Sequence, residues 1–434
     1  MSTSLLLQRR GFLGSLAALG SATLIHPAFS GERIVAPLPK PLGPIATDNP
    51  FWAAVRNLYE IDPAITNLEN AYWGIMAKPI LANYLSLIEK VNRQNSAYVR
   101  SGFEADWRAA IDAISSASGF KPAEVTLTRG ATEALQLLIS NYNRLKPGDT
   151  VLHADLDYDC AQYAMEWLAE RRSVDVIKIA LPEPATRQAI IDAYAQAIGR
   201  HPKLKLILLT HLSHRTGLVV PVKEIAAIAR SKGIDVILDA AHSWGQIVAE
   251  PKDLGVDFIA FNLHKWIGAP LGMGFMYIAE QRLQDVDPQL GDQAYPKSLI
   301  DARVHTGTFN FAAVMALPDA LTLHAEIGTA AKAARLRYLR DLWVSEARKD
   351  DRLQILTPDD ADMVGGISSF RLKGPESSNK IQALVATLRD KHKILTVVRN
   401  GVSKGPCIRV SPAIYTSEDD ILKFVAALRS ELVN

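Results

Sequence analysis

An alternation running from Thr66 to about Ile278 constrains the fold of this chain more than any other feature. Short apolar, β-branched runs at 151–154, 174–179, 204–210, 236–238, 258–261 and 274–278 alternate with helical patterns at 132–143, 161–171, 187–199 and 222–232. Strands separated by helices of this length indicate βαβ units and a mainly parallel sheet covered on both faces. The run Leu204-Lys205-Leu206-Ile207-Leu208-Leu209 is apolar almost throughout, as a doubly covered strand requires. Beyond about Ala320 the pattern changes to a long charged helix over 321–349, strand-like segments at 366–372 and 407–410, and a final helix over 417–432. Such an ending predicts a smaller, separate α+β domain.

Composition removes several classes of function. Lys+Arg 48 against Asp+Glu 46 leaves a formal charge of +2, without the excess of positive charge that nucleic-acid or anionic-membrane binding rests on. Hydrophobic residues at 48% and charged residues at 22% exclude a disordered chain. Cys160 and Cys407 are the only cysteines among 434 residues, too few for a disulfide framework, and no CxxC pair or P-loop is present. No metal is expected.

The amino-terminal stretch reads as an address. Arg9-Arg10 is followed by Gly11-Phe12-Leu13, an uncharged run to Ile25, Pro27 and the small-residue end Ala28-Phe29-Ser30. A membrane-spanning helix needs about 20 apolar residues, and this run is shorter and diluted by Gly14, Ser15, Gly20 and Ser21. It resembles a twin-arginine export signal, which carries folded proteins. The expected organisation is a signal peptide over 1–30, an extended segment over 31–65 containing Pro37, Pro39, Pro41 and Pro44, a large domain over 66–320 and a small domain over 321–434. A periplasmic location follows, with no stable membrane association after cleavage.

Four segments suggest a site. In Thr128-Arg129-Gly130-Ala131-Thr132-Glu133-Ala134 a strand passes through glycine into a helix, whose free N–H groups and dipole suit a phosphate; Thr132 capping a surface helix is the plain alternative. In Ile237-Leu238-Asp239-Ala240-Ala241-His242 an aspartate ends a buried strand, where open α/β sheets bind ligands, or else it caps the next turn. Phe261-Asn262-Leu263-His264-Lys265-Trp266 sets a lysine among apolar residues, where a lowered pKa makes a nucleophile; snorkelling to the surface is the default for a lysine. Cys407-Ile408-Arg409-Val410-Ser411 places an arginine in an apolar strand, suited either to a substrate carboxylate or to a structural ion pair. A phosphate cradle, a carboxylate, a Schiff-base lysine and a carboxylate-binding arginine together match pyridoxal 5'-phosphate and an amino acid. The carboxylate would keep the pyridine nitrogen protonated, so that the ring serves as an electron sink.

From Leu68-Glu69-Asn70-Ala71-Tyr72-Trp73-Gly74 to Arg409 these residues resemble the class V aminotransferase family of fold-type I pyridoxal-phosphate enzymes, in the branch similar to isopenicillin N epimerase. The resemblance implies an α/β fold with a large cofactor domain and a small α+β domain. It implies that Lys265 carries the cofactor and that Asp239 meets its pyridine nitrogen. Ala131 and Thr132 would hold the phosphate, helped by Asn262 and His264. Tyr158 matches the stacking aromatic position, and His242 and His214 fall near the cofactor's phenolic oxygen and the substrate. Arg409 and Asn70 would bind substrate. Thr308, in Thr306-Gly307-Thr308-Phe309-Asn310, matches a loop reaching the neighbouring subunit's phosphate, which implies a homodimer with shared sites. Related cysteine desulfurases carry a mobile-loop cysteine ahead of the arginine, and 396–405 contains none, which speaks against that activity. Tyr72 and Trp73 replace small residues, and either reshape the pocket or pack beneath the N-terminal segment.

The expected function is that of an enzyme acting on the amino group of a small amino acid or a peptide side chain. Transamination, epimerisation and elimination of a β or C–S bond share its first step. With an export signal, the chain resembles the periplasmic tailoring enzymes of the siderophore pyoverdine. A non-catalytic binding module of the same fold is the other class, but such a scaffold needs neither Lys265 nor Asp239.

Overall fold

The computed structural model describes residues 37–374 and 377–433. The export signal expected over 1–30 lies outside the described residues. Seven strands form the large sheet: β1 (Val125–Thr128), β2 (Thr150–Ala154), β3 (Asp175–Ile179), β4 (Leu204–Thr210), β5 (Asp235–Asp239), β6 (Phe258–Asn262) and β7 (Gly274–Ile278). Their spatial order is β1-β7-β6-β5-β4-β2-β3. Strand β7 runs antiparallel to both neighbours, and every other pairing is parallel, so the mainly parallel sheet carries one reversed strand. β1, β2 and β6 are buried at every position, which only helices on both faces can achieve. The helix Ala131–Asn141 lays Ala134, Leu135 and Leu138 into a core shared with Val151, Leu206, Leu208, Ile237, Phe258 and Met276.

Four further strands, β8 (Leu353–Ile355), β9 (Ser368–Leu372), β10 (Val397–Arg399) and β11 (Cys407–Val410), form an antiparallel sheet in the order β10-β11-β9-β8. Its core centres on Trp343, which meets Phe370 and Phe424 edge-on at centroid distances of 5.9 and 5.7 Å. Thr66–Asn67 pairs in parallel with Ile394–Leu395, and Leu68 is part of this core. The stretch read as the head of the large domain thus packs with the C-terminal layer.

Two expectations are corrected. The single helix expected over 321–349 is two, Leu317–Ile327 and Thr329–Ala347, because Gly328 takes a φ of +85° that no helix can continue through. The segment 31–65 is not extended throughout: Asn49–Arg56 is a helix, with Pro50 in its first turn and the Asp48 carboxylate accepting from the Phe51 N–H at 2.9 Å. Two helices ahead of β1, Lys78–Ser101 and Phe103–Ser118, do not belong to the strand–helix alternation. Trp343 is fully buried, so Trp343→Ala should lower the unfolding free energy by about 3–5 kcal/mol, read from urea denaturation. A loss below about 1 kcal/mol would show that the small layer does not depend on this ring.

Candidate active site

The carboxyl ends of β4, β5 and β6 open onto a cleft of about 640 Å³, lined also by the start of the helix Ala131–Asn141 and by β10 and β11. Asp239 ends β5 and Asn262 ends β6. Lys265 follows three residues later, on a loop against which Gly74 is packed. The Gly74 N–H donates to the His264 carbonyl at 3.0 Å, and a Cβ on Gly74 would lie 2.2 Å from the Lys265 carbonyl oxygen. Only glycine allows the N-terminal segment to back the lysine so closely.

Lys265 Nζ lies 2.9 Å from Nε2 of His242. The other ring nitrogen, Nδ1, accepts a long hydrogen bond from the Trp266 indole at 3.4 Å. With Nδ1 accepting, the imidazole proton lies on Nε2, which can donate to Lys265 once the amine has lost its proton. The electrostatics agree. Burial drives the Lys265 pKa down to about 8; the Asp239 carboxylate opposes the shift, while Arg409 and Arg399 add to it. Burial holds His242 well below the ordinary histidine range, with Lys265 contributing, and so keeps the ring uncharged. Asp239 is itself raised by burial; the Ala241 N–H, donating at 2.9 Å, and Lys265 pull it back.

The rest of the cleft fits a phosphorylated, aromatic cofactor. The helix Ala131–Asn141 has no side-chain cap at Gly130, so its positive end faces the cleft, and the Ala131 N–H donates to Asn262 Oδ1 at 2.8 Å. His264 Nδ1 donates to the Met273 carbonyl at 2.8 Å, and burial lowers the pKa of this ring also. Tyr158 stands edge-on to His214 at 5.1 Å, and His214 lies nearly parallel to His242 at 6.5 Å. Among the described residues His214 Nδ1 is buried without a hydrogen-bond partner, a donor that a bound ligand would satisfy. Ala131, Thr132, Tyr158, His214, Asp239, His242, Asn262, His264, Lys265 and Arg409 therefore share one cleft.

Two expected residues stand apart. Asn70 is buried outside the cleft lining; its amide donates to the carbonyls of Asn67 and Ser411 and accepts from the Tyr415 hydroxyl at 3.0 Å, so its polar atoms are already engaged. Thr308 is exposed and does not line the cleft of its own chain. Both cysteines lie outside the lining, with Cys407 buried and burial pushing its thiol pKa up to about 11.

Three groups were not anticipated. The Thr210 hydroxyl, in the cleft, donates at 2.7 Å to buried Asp157, whose pKa burial raises to about 7. Arg399 lines the cleft from 396–405, a stretch with no local pattern to mark it. Glu69 grips Arg409: Nη2 and Nε donate to its carboxylate at 2.5 and 3.3 Å, and Nη1 donates to the His214 carbonyl at 2.6 Å. Glu69 stands inside the motif Leu68-Glu69-Asn70, but only the fold shows that it meets an arginine 340 positions away. Glu69→Gln should leave Arg409 buried without its counter-charge and lower stability by about 3 kcal/mol or more. An unchanged urea midpoint would show that Arg409 does not rely on Glu69.

Comparison with known proteins agrees with this arrangement. The family model described as aminotransferase class-V matches residues 85–424. Isopenicillin N epimerase of Streptomyces clavuligerus is 27% identical over 398 residues, covering 87% of this chain and 97% of that protein. The fold is similar to the cysteine desulfurase CsdA of Escherichia coli, in its S-sulfonic acid form, with a TM-score of 0.74 at 21% identity over 88% of this chain and 98% of that one. It is also similar to a variant of C-DES with glycine covalently linked to its PLP cofactor, with a TM-score of 0.72 at 20% identity over 84% and 96%. The chain belongs to the class-V aminotransferase family and is a pyridoxal-phosphate-dependent enzyme.

Proposed function

We propose that the protein acts on the amino group of an amino acid or of a peptide side chain, with Lys265 as covalent anchor of the cofactor and as proton carrier. The observation that carries this reading is the half-buried Lys265 amine, 2.9 Å from His242 and within the field of Asp239. When bound, pyridoxal phosphate supplies an electron sink that acidifies the carbon bearing the substrate's amino group. The positive end of the helix at Ala131 and Thr132, with Asn262 and His264 beside it, would hold the phosphate. Asp239 would keep the pyridine nitrogen protonated, and Tyr158 would face the ring. Lys265 Nζ, with a pKa of about 8, is free to take a proton near neutral pH and to return it.

The fate of that proton separates the reactions. Transamination is the leading reading. Epimerisation is the second, favoured by the epimerase relative that spans most of the chain. Desulfuration is disfavoured, because 396–405 has no cysteine and is pinned to the large layer: the Ser403 N–H donates to Asp155 at 3.1 Å, and Arg215 lies across Gly401. A homodimer with shared sites would give exposed Thr308 a role at the partner's phosphate. Periplasmic export, and tailoring of a pyoverdine-type peptide there, rest on the Arg9-Arg10 signal alone.

Protein purified with excess pyridoxal phosphate should show a visible absorption band, and Lys265→Ala should abolish it; a colourless wild type would sink the proposal. Candidate amino acids incubated in deuterated water should exchange the α-proton: exchange with keto-acid release marks transamination, and exchange with inversion alone marks epimerisation. The rate of cofactor capture should rise as pH climbs through about 8, because only the neutral amine reacts. Asp239 raises the lysine pKa, so Asp239→Asn should move that midpoint to lower pH. A midpoint that stays in place or moves upward would contradict the proposed coupling.

A further inference from the structure

A second buried amine stands behind the turn that carries Lys265. Lys332, in the first turn of the helix Thr329–Ala347, is 2% exposed, lies outside the cleft lining and makes no ion pair among the described residues. Its amine donates to the Trp266 carbonyl and, at 3.1 Å, to His324 Nδ1. With Nδ1 accepting, His324 carries its proton on Nε2, 3.2 Å from the Thr329 hydroxyl. Burial lowers the Lys332 pKa to about 7. An apolar side chain would fill this place at less cost. It would also leave the Trp266 carbonyl, which has no other donor among the described residues, unsatisfied.

Trp266 is engaged at both ends. Its carbonyl meets Lys332, and its indole donates to His242 Nδ1 at 3.4 Å. Between them it is seated on Gly245, where a Cβ would come within 3.1 Å of both the Trp266 Cβ and its carbonyl oxygen. His242 Nε2 in turn lies 2.9 Å from Lys265 Nζ. A continuous path thus runs from Lys332 through Trp266 and His242 to Lys265.

The tautomer in the middle of that path matters. While the indole occupies Nδ1, Nε2 turns a donor toward Lys265, which suits the neutral amine and opposes the ammonium. Were the indole withdrawn, the proton would be free to move to Nδ1, and Nε2 would then accept from the ammonium and favour it. The other charged groups that act on Lys265 are Asp239, Arg409, Arg399 and Glu69; those that act on His242, besides Lys265, are Arg409, His214 and Arg399. None of them is bonded to Lys332.

We propose that Lys332 is a positioning residue for the reaction: by holding the Trp266 carbonyl it keeps the indole on His242 Nδ1, and so keeps the His242 proton on the nitrogen that faces Lys265. This deepens the preceding reading and rests on it, since Lys265 must be the amine that reacts.

The test uses the full chain with isotope-labelled histidine, His242 being assigned by its loss in His242→Gln. Two readouts are taken: the ring tautomer by NMR, and the pH midpoint of pyridoxal-phosphate capture. Wild type should show His242 as one tautomer, protonated on Nε2. Lys332→Met should show both tautomers, and its capture midpoint should move upward by about 0.5–1 in pH, the size of one hydrogen bond gained by the charged amine. Lys332→Gln, polar but too short to reach the carbonyl, should behave alike and serves if the apolar variant does not fold. Trp266→Phe removes the indole donor directly and should give the same shift, with no further shift when combined with Lys332→Met. A wild-type His242 protonated on Nδ1, an unchanged tautomer or midpoint in the Lys332 variants, or additive shifts in the double variant overturns this inference alone. A wild type that captures no pyridoxal phosphate overturns the preceding reading as well, and is seen before any variant is made.

Discussion

Burial of polar groups at the carboxyl edge of a doubly covered sheet is the constraint on which the site depends. The strands must be apolar on both faces to lie between helices, yet β5 and β6 end in Asp239 and Asn262, which are 5% and 8% exposed. Such groups persist in a low-dielectric setting only when each has a partner. The Asp239 carboxylate accepts from Ala241 and shares its field with Lys265, and Asn262 accepts from the Ala131 N–H at the start of a helix. The same burial that makes these groups costly lowers the pKa of the Lys265 amine to about 8, so the property chemistry requires arises from the packing itself.

A second buried interaction joins the layers. Glu69 precedes the large sheet by some fifty residues, Arg409 follows it on the C-terminal sheet, and their ion pair closes one wall of the cleft. Around it, the Asn70 N–H donates to the Ser411 carbonyl at 3.1 Å and the Ser411 N–H to the Leu68 carbonyl at 2.7 Å, so the chain on either side of the pair is held by backbone bonds. A pair this deeply buried is costly to break from one side, which gives it a greater part in shaping the cleft than in adding net stability. The arginine most visible in the sequence is thus oriented by Glu69 and by the His214 carbonyl.

Much of the fold was legible because its signals are local. The strand–helix alternation marked each of β2 to β7 to within a residue or two, since a doubly buried strand reads as a continuous apolar run. The break at Gly328 was missed because a glycine within a helical pattern looks tolerable until its φ is known. The helix at Asn49–Arg56 was missed because prolines upstream suggested extended chain, while its cap, Asp48, is one residue among many of its kind.

The sequence by itself determined the chemical inventory: a lysine, an aspartate, a helix start behind a glycine, and histidines near strand ends, in an order that resembles the class V aminotransferase family. The tertiary structure decided which of these groups are still available. Asn70 has its amide engaged by backbone carbonyls, Arg409 is held by Glu69, and Arg399, which no motif marks, lines the cleft with no ion pair among the described residues. Residue types and local spacing specify what a group can do. Whether its hydrogen bonds and charge are already satisfied depends on neighbours hundreds of positions away, and only packing brings those neighbours together.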